Sequence, residues 1–298
     1  MNKLCVVLCG GLLAAFQSAC SPAPQNEPAK PQSTKAEPAV AASQPATSAT
    51  SAPAARPSES SPAREAPAAI DFKIPASKRG VFIFSKTAGF RHDSIPVGIA
   101  CLKRICREEG FDPDATEDAA LFTDEILKAY DVVVFLNTTG DVLNDEQQGA
   151  MERFIKRGGG FVGVHAASDT EYDWAWYGGL VGAYFKCHPA IQPAQLNVID
   201  RDHPATRSLT KVWYRTDEWY DFRAPPVSVR RLIEIDESTY KGATMGKDHP
   251  MSWCHEYDGG RAFYTALGHT KESYGEPDFV EHLRGAILWA AKRDQPGK

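Results

Sequence analysis

The chain has 298 residues, with 33 Lys and Arg against 38 Asp and Glu, and a formal net charge of −5. From residue 78 onward 27 basic residues face 33 acidic ones, and no basic block stands out. This balance excludes recognition of a phosphate backbone as the main task and leaves nucleic acid out as a partner.

The first residues read as an export signal. Met1-Asn2-Lys3 is a short basic start, and Leu4 to Phe16 is an apolar run of signal-peptide length, too short to span a bilayer as a helix. Gln17-Ser18-Ala19-Cys20 then resembles the lipobox of bacterial lipoproteins, with Gln17 where that motif usually has leucine. The resemblance implies a signal peptide over residues 1–20, lipidation of Cys20 and a membrane partner through the lipid anchor. Ser21, where inner-membrane retention would want an aspartate, directs the expectation to the outer membrane. A cleaved signal peptide releasing a soluble periplasmic protein is the alternative. Residues 21–70 are nearly all Ala, Pro, Ser, Thr and Gln. They bury too little apolar surface to offset ordering entropy and read as a disordered tether. Residues 71–298 remain for one α/β domain with a single core. Its cysteines, Cys101, Cys106, Cys187 and Cys254, are expected as buried free thiols; spacing leaves a Cys187–Cys254 bridge open.

Along the domain, Val81–Ser85 is a continuous apolar run suited to a central parallel strand. Ser94 can cap a helix with Pro96 in its first turn, and Ile95, Ile99, Leu102 and Ile105 give it one apolar face until Gly110. A weak strand at 114–117 precedes a helix ending near Tyr130. Asp131–Asn137 is the clearest strand. Asn144 caps the next helix, with Gln147 in the reciprocal capping position, and Gly158 closes it. Phe161–His165 is the following strand. Strands are then expected at 195–200, 212–215 and 229–234. A hairpin pairs 251–257 with 261–267 about Asp258-Gly259-Gly260, and a helix spans 278–291. Strand–helix alternation followed by β-rich sequence predicts a flavodoxin-like or class I glutamine amidotransferase-like sandwich. Its sheet is mostly parallel, with an antiparallel extension in the C-terminal half.

In such sheets ligands bind beyond the carboxyl ends of the strands. That rule selects His92, His165 and His269, each just past a predicted strand, and brings His188 near the same mouth. His203, His249, His255 and His282 read as surface or cap residues. Ser168 or Asp169 reads as a cap for the helix that follows. Adjacent Cys187-His188 and Cys254-His255 point oppositely in extended chain and do not make thiolate–imidazole pairs. There is no Gly-x-Ser-x-Gly, HExxH, CxxC or P-loop pattern. A divalent metal such as zinc suits the donor types of His92, His165, His188 and His269, or a set in which Glu218 substitutes, but the spacing carries no metal signature. Asp217 and Glu218 sit beside Trp219 and Tyr220, where desolvation could prepare a carboxyl for acid–base work and the rings could face a sugar.

Five strings together resemble the ThuA-like (trehalose utilisation) domain family: FSKTAGFRH (84–92), GGGFVGVH (158–165), GAYFKCHP (182–189), DEWY (217–220) and GRAFYTALGH (260–269). The family is similar in fold to class I glutamine amidotransferases, in which a cysteine occupies the strand-end turn that His165 fills here. The resemblance therefore implies carbohydrate metabolism, on trehalose-like or keto-sugars, and no glutamine hydrolysis through a thioester. On that basis His165, His269 and Glu218 are the candidate catalytic residues of a hydrolase, isomerase or lyase. Arg91, His92, His188, Trp219 and Tyr220 are the candidate contacts to a small carbohydrate. A non-catalytic glycan-binding or structural envelope lipoprotein is the alternative. The sequence leaves the sugar, the reaction, the metal and the oligomeric state open.

Overall fold

The computed structural model describes residues 79–293; the leader and tether expected at 1–20 and 21–70 lie outside them. The first half alternates strand and helix: β1 (Gly80–Phe84), α1 (Ile95–Glu108), β2 (Asp112–Thr116), α2 (Asp124–Leu127), β3 (Tyr130–Leu136), α3 (Asp145–Lys156) and β4 (Gly160–Val164). The second half holds α4 (Ala175–Val181), β5 (Phe185–Cys187), β6 (Gln192–Val198), β7 (Val212–Asp217), β8 (Asp221–Phe222), β9 (Arg230–Asp236), β10 (Pro250–Tyr257), β11 (Gly260–Thr265) and α5 (Pro277–Ala290).

Nine strands form one sheet in the order β2-β1-β3-β4-β11-β10-β9-β6-β7. Pairings from β2 to β11 are parallel, and those from β11 to β7 are antiparallel. β11 is thus the seam: it lies parallel to β4 on one side and closes the hairpin with β10 on the other. The hairpin turn is Asp258-Gly259, with φ of 47° and 93°. Two left-handed residues match the twist of the strands they join, and the Asp-Gly pair supplies them at low steric cost. β1 and β4 are buried along their whole length, which is why they read as unbroken apolar runs. β7 alternates exposed and buried residues, which aligns Trp213, Arg215 and Asp217 on its inner face. The Asn144–Gln147 capping box at α3 forms as expected.

Several sequence expectations are corrected. Ser94 makes no side-chain cap; its Oγ accepts from Asn137 Nδ2 at 3.1 Å. The helix expected before Tyr130 shrinks to α2 and a preceding 3-10 turn, Ala119–Leu121. Ser168 and Asp169 lie within a 3-10 turn, His165–Asp169, and α4 starts only after Trp174. The short sheet of β5 and β8 has too few residues to leave a periodic signal. His203, His249 and His282 are buried, not surface residues, and His255 is half-buried. His282 has both ring nitrogens engaged, with Ala205 O at 2.8 Å from Nδ1, and burial pushes its pKa down to about 4. Cys254 is a free thiol, so no bridge joins it to Cys187. Among the described residues no helix is long and apolar enough to cross a membrane.

α5 packs across the parallel half through Phe279, Leu283, Ala286 and Ile287. Its Gly285 is required by a close approach: a Cβ there would lie 2.2 Å from the Pro204 carbonyl oxygen and 2.3 Å from its carbon. Gly→Ala in a free helix stabilises by about 1 kcal/mol. Here Gly285→Ala is expected to destabilise, by about 1–3 kcal/mol, because backbone must move to admit the methyl group. A lowered midpoint in thermal unfolding checks this, and a raised one contradicts the packing.

Candidate functional site

Segments beyond the ends of β1, β4, β5, β7 and β11 build the site. His92 comes from the loop after β1. That loop is pinned by Thr139, whose carbonyl accepts from Ala88 N at 2.7 Å and whose Oγ1 accepts from Gly89 N at 3.2 Å and donates to Phe90 O at 2.9 Å. His165 follows β4 directly with φ of 49°, a left-handed conformation that costs an L-residue about 1–2 kcal/mol. Two hydroxyls converge on its carbonyl: Tyr264 donates to it at 2.7 Å and Ser168 at 3.4 Å. The turn throws the imidazole above the strand tip.

His269 follows β11 through Gly268, at φ of 108°. Glu218 follows β7, the far edge of the sheet. In a flat sheet β7 would stand five strand spacings from β4, about 24 Å. Yet Glu218 Oε2 is 3.3 Å from His165 Nε2, so the antiparallel half must curl back over the strand ends. Asp217 fixes the join. Its fully buried carboxylate accepts from the backbone N–H of Gly268 at 2.8 Å, of His269 at 3.2 Å and of Thr270 at 3.4 Å, and from Ser273 Oγ at 3.3 Å. Arg215, next inward on β7, faces it at 3.1 Å and is flanked by the rings of Trp213 and Phe279.

The reactive groups form a tight cluster. His165 Nε2 lies 3.2 Å from His269 Nδ1, and His269 Nδ1 lies 3.1 Å from Glu218 Oε2. His165 Nδ1 is 2.7 Å from the carbonyl of Ala266. A carbonyl only accepts, so the neutral ring carries its proton on Nδ1 and turns the Nε2 lone pair into the cluster. His188 Nδ1 sits 2.9 Å from Pro189 O, to which by the same reasoning it donates, and its ring edge lies 3.0 Å from Glu218 Oε1. The His92 ring stands edge-on to both His165 and His269, at centroid distances of 4.9 and 5.0 Å, and its buried Nδ1 has no hydrogen-bond partner.

Burial and charge tune the groups in opposite directions. Burial, with His165 and His269 beside it, pushes the His92 pKa down to about 2, so this ring stays neutral. Burial pushes Glu218 up, but the imidazoles of His165 and His269 against it outweigh this and hold the carboxyl well below its usual range. Burial pushes His269 down, and the contact with Glu218 reverses this and raises it. Exposure grows outward from His165, at 0%, through Glu218, at 8%, and His269, at 18%, to His188, at 32%. Solvent, and therefore any ligand, meets the cluster on the His188 side.

The structure brings together His92, His165, His188, His269 and Glu218. It does not bring in all of the expected contacts. Arg91 is paired with Glu117 at the surface, at 2.6 Å. Trp219 is fully buried; its indole donates to Gln192 O at 2.8 Å and it packs near Tyr240, so it is core and lines no opening. Tyr220 is buried as well, its ring 4.1 Å from that of His165, and serves as a wall behind that imidazole. Behind it lies a second polar group, Asp221, Glu237 and His249, in which His249 Nε2 donates to Tyr220 O at 2.8 Å. Asp217, read from sequence as an acid–base candidate, has its oxygens taken up by the His269 turn instead. The signal for that role was the alternation on β7, which puts Arg215 and Asp217 on one face.

A family model named ThuA, described as trehalose utilisation, matches residues 80–290. Among solved structures, a ThuA-like protein from Bacteroides uniformis ATCC 8492 is similar at 24% identity with a TM-score of 0.63, covering 75% of this chain and 96% of that one. A second, from Parabacteroides merdae ATCC 43184, is similar at 23% identity with a TM-score of 0.59, covering 74% and 93%. A cytoplasmic protein from Salmonella typhimurium shares the fold at 11% identity and a TM-score of 0.50, covering 71% and 98%. No curated protein matches.

Asp217→Asn is expected to lower stability by about 3 kcal/mol, because it leaves the buried Arg215 guanidinium with only the half-exposed Glu276 as counter-charge. Urea unfolding of the two proteins measures the difference; a loss under about 1 kcal/mol would show that Asp217 contributes no more than one ordinary hydrogen bond.

Proposed function

The chain belongs to the ThuA family, described as trehalose utilisation, and from that premise we propose that it processes a carbohydrate, a trehalose-like or keto-sugar, at the cluster above β4 and β11. The observation that carries the reading is the meeting of His165, His269 and Glu218, from three distant segments, within 3.1–3.3 Å of one another at the strand-end rim. Hydrolysis, isomerisation and elimination on such sugars all need charge or proton movement beside a carbonyl or at an acetal oxygen, and paired imidazoles with an ionised carboxylate supply both. His188 flanks the approach and buried His92 stands against the two other imidazoles, and both suit sugar hydroxyls, as donors or acceptors.

Glutamine amidotransfer is not part of the proposal. The residue at the strand tip is an imidazole, which does not replace a thiolate in making and breaking an acyl bond. No cysteine belongs to the cluster among the described residues.

Conversion of a panel of disaccharides and keto-sugars, followed by product analysis, tests the reading. Wild-type protein is expected to convert at least one of them. His165→Asn and His269→Ala are each expected to lose about 10²–10⁴-fold in turnover. Asparagine tolerates the left-handed backbone at 165, and its side-chain N–H can reach the Ala266 carbonyl, so the fold survives while the Nε2 function is removed. Binding of a sugar without any conversion would establish the glycan-binding alternative in place of the enzyme.

The same proposal places the protein in the cell envelope, anchored to the outer membrane by lipid on Cys20. Its support is the apolar run at 4–16, the Ser18-Ala19-Cys20 motif and Ser21. Growth with a labelled fatty acid is expected to mark wild-type protein and leave Cys20→Ser unmarked; unlabelled wild-type protein in the soluble periplasmic fraction would rule the anchor out.

A further inference from the structure

We propose that His165, His269 and Glu218 form the ligand face of a mononuclear site for a divalent transition metal of the zinc class. The inference deepens the proposed function and rests on it only for the substrate.

The geometry of the three donor atoms carries the argument. Nε2 of His165, Nδ1 of His269 and Oε2 of Glu218 make a triangle with sides of 3.2, 3.1 and 3.3 Å. Ligands at about 2.0–2.1 Å around a tetrahedral ion stand about 3.3–3.4 Å apart, so the triangle has nearly the dimensions of one face of such a site. Hydrogen bonding alone accounts for it poorly. His165 has committed its proton to Ala266 O, at 2.7 Å. The two facing ring nitrogens and the carboxylate then bring a single proton, on His269, to three close contacts. The remaining lone pairs face one another, which is repulsive. A cation among them makes all three contacts favourable.

The surroundings are those of a metal site rather than of a chance cluster. The Ala266 carbonyl fixes the tautomer and ring plane of His165, and His188 Nδ1 lies against Glu218 Oε1 at 3.0 Å, leaving Oε2 to point inward. Such outer contacts orient metal ligands and raise their basicity. Asp217 fixes the backbone of His269 at 3.2 Å. All three donors are set by groups that do not themselves bind. Two neutral imidazoles and one carboxylate leave a divalent ion with one net positive charge and a fourth position. His92, with its unpartnered Nδ1, is the polar group next to that position and suits a water or sugar oxygen there. An ion so held would polarise a substrate oxygen or acidify a bound water, and proton transfer would fall to His188 at the open end. The second polar group, Asp221, Glu237 and His249, lacks this pattern: both His249 nitrogens are engaged, with Tyr220 O and with Glu237 Oε1, each at 2.8 Å.

The test uses untagged full-length protein, stripped with a chelator and titrated with Zn2+ alone by calorimetry, with metal content read by elemental analysis. Wild-type protein is expected to bind one equivalent. Glu218→Gln and His165→Asn are each expected to weaken binding at least about 100-fold, while Glu237→Gln binds as wild type. Co2+ in place of Zn2+ is expected to give the visible bands of a four-coordinate site in wild type and to lose them in Glu218→Gln; this readout needs no activity. Absence of binding by folded wild-type protein, or binding unchanged in both ligand variants, overturns the site. Sugar conversion at full rate by the stripped protein also overturns the site and leaves the carbohydrate reading standing. Stoichiometric binding with no sugar converted does the reverse.

Discussion

The site depends on one buried carboxylate whose partners are a backbone turn, a hydroxyl and an arginine. Asp217 gathers three consecutive N–H groups of the turn Gly268–Thr270 and the hydroxyl of Ser273, and is itself held by Arg215. Those N–H groups have no strand to pair with, because β11 has ended at Thr265. Were they buried without an acceptor, each would cost about 1–3 kcal/mol. Meeting that need from β7, at the opposite edge of the sheet, ties the curled antiparallel half to the seam strand. Glu218 is the next residue along and is delivered to His165 and His269 by the same tie. The sheet's curvature and the placement of the reactive carboxylate are thus one constraint.

The strand tip at His165 shows the complementary arrangement, in which strain is accepted and compensated locally. A glycine would take φ of 49° freely, and an imidazole there costs free energy. Hydroxyls from Tyr264 and Ser168 on the carbonyl, the Ala266 carbonyl on Nδ1, and Tyr220 against the ring face over-determine the conformation. Strained positions persist where surroundings enforce them, and they cluster where a side chain must be aimed. The same elbow that could present a thiolate at a parallel strand end presents a ring nitrogen here, so the geometry is independent of the chemistry it carries.

Much of this was legible in the sequence because it is local. β1, β4 and the Val132–Leu136 part of β3 are unbroken apolar runs, the α3 cap is a reciprocal pair three residues apart, and Asp258-Gly259 turns a hairpin by its own φ preferences. The strand-end rule then placed His92, His165 and His269 on one rim. What sequence could not supply is the curl of the sheet, since it depends on contacts between β7 and the turn after β11, 51 residues apart in the Asp217–Gly268 case. Without the curl, Glu218 reads as one of two loop acids and Trp219 as an exposed ring. With it, Glu218 turns inward and Trp219 is driven into the core. His203, His249 and His282 went astray for a related reason: a histidine's burial depends on finding backbone carbonyls in other segments, as His282 does at Ala205.

The gradient of exposure across the cluster sets its electrostatics. His165 is sealed from water and Glu218 nearly so, while His188 is a third open. Charges in the sealed part interact through a low effective dielectric and are weakly screened by salt. A negative Glu218 there is tolerable only beside a compensating positive charge. A proton on His269 meets that demand weakly, because it serves one of the three close contacts; a divalent ion serves all of them. The sealed end therefore favours a fixed cation, and the open end favours groups that exchange protons with solvent. His188, beside Glu218 at the mouth, sits where those two requirements meet.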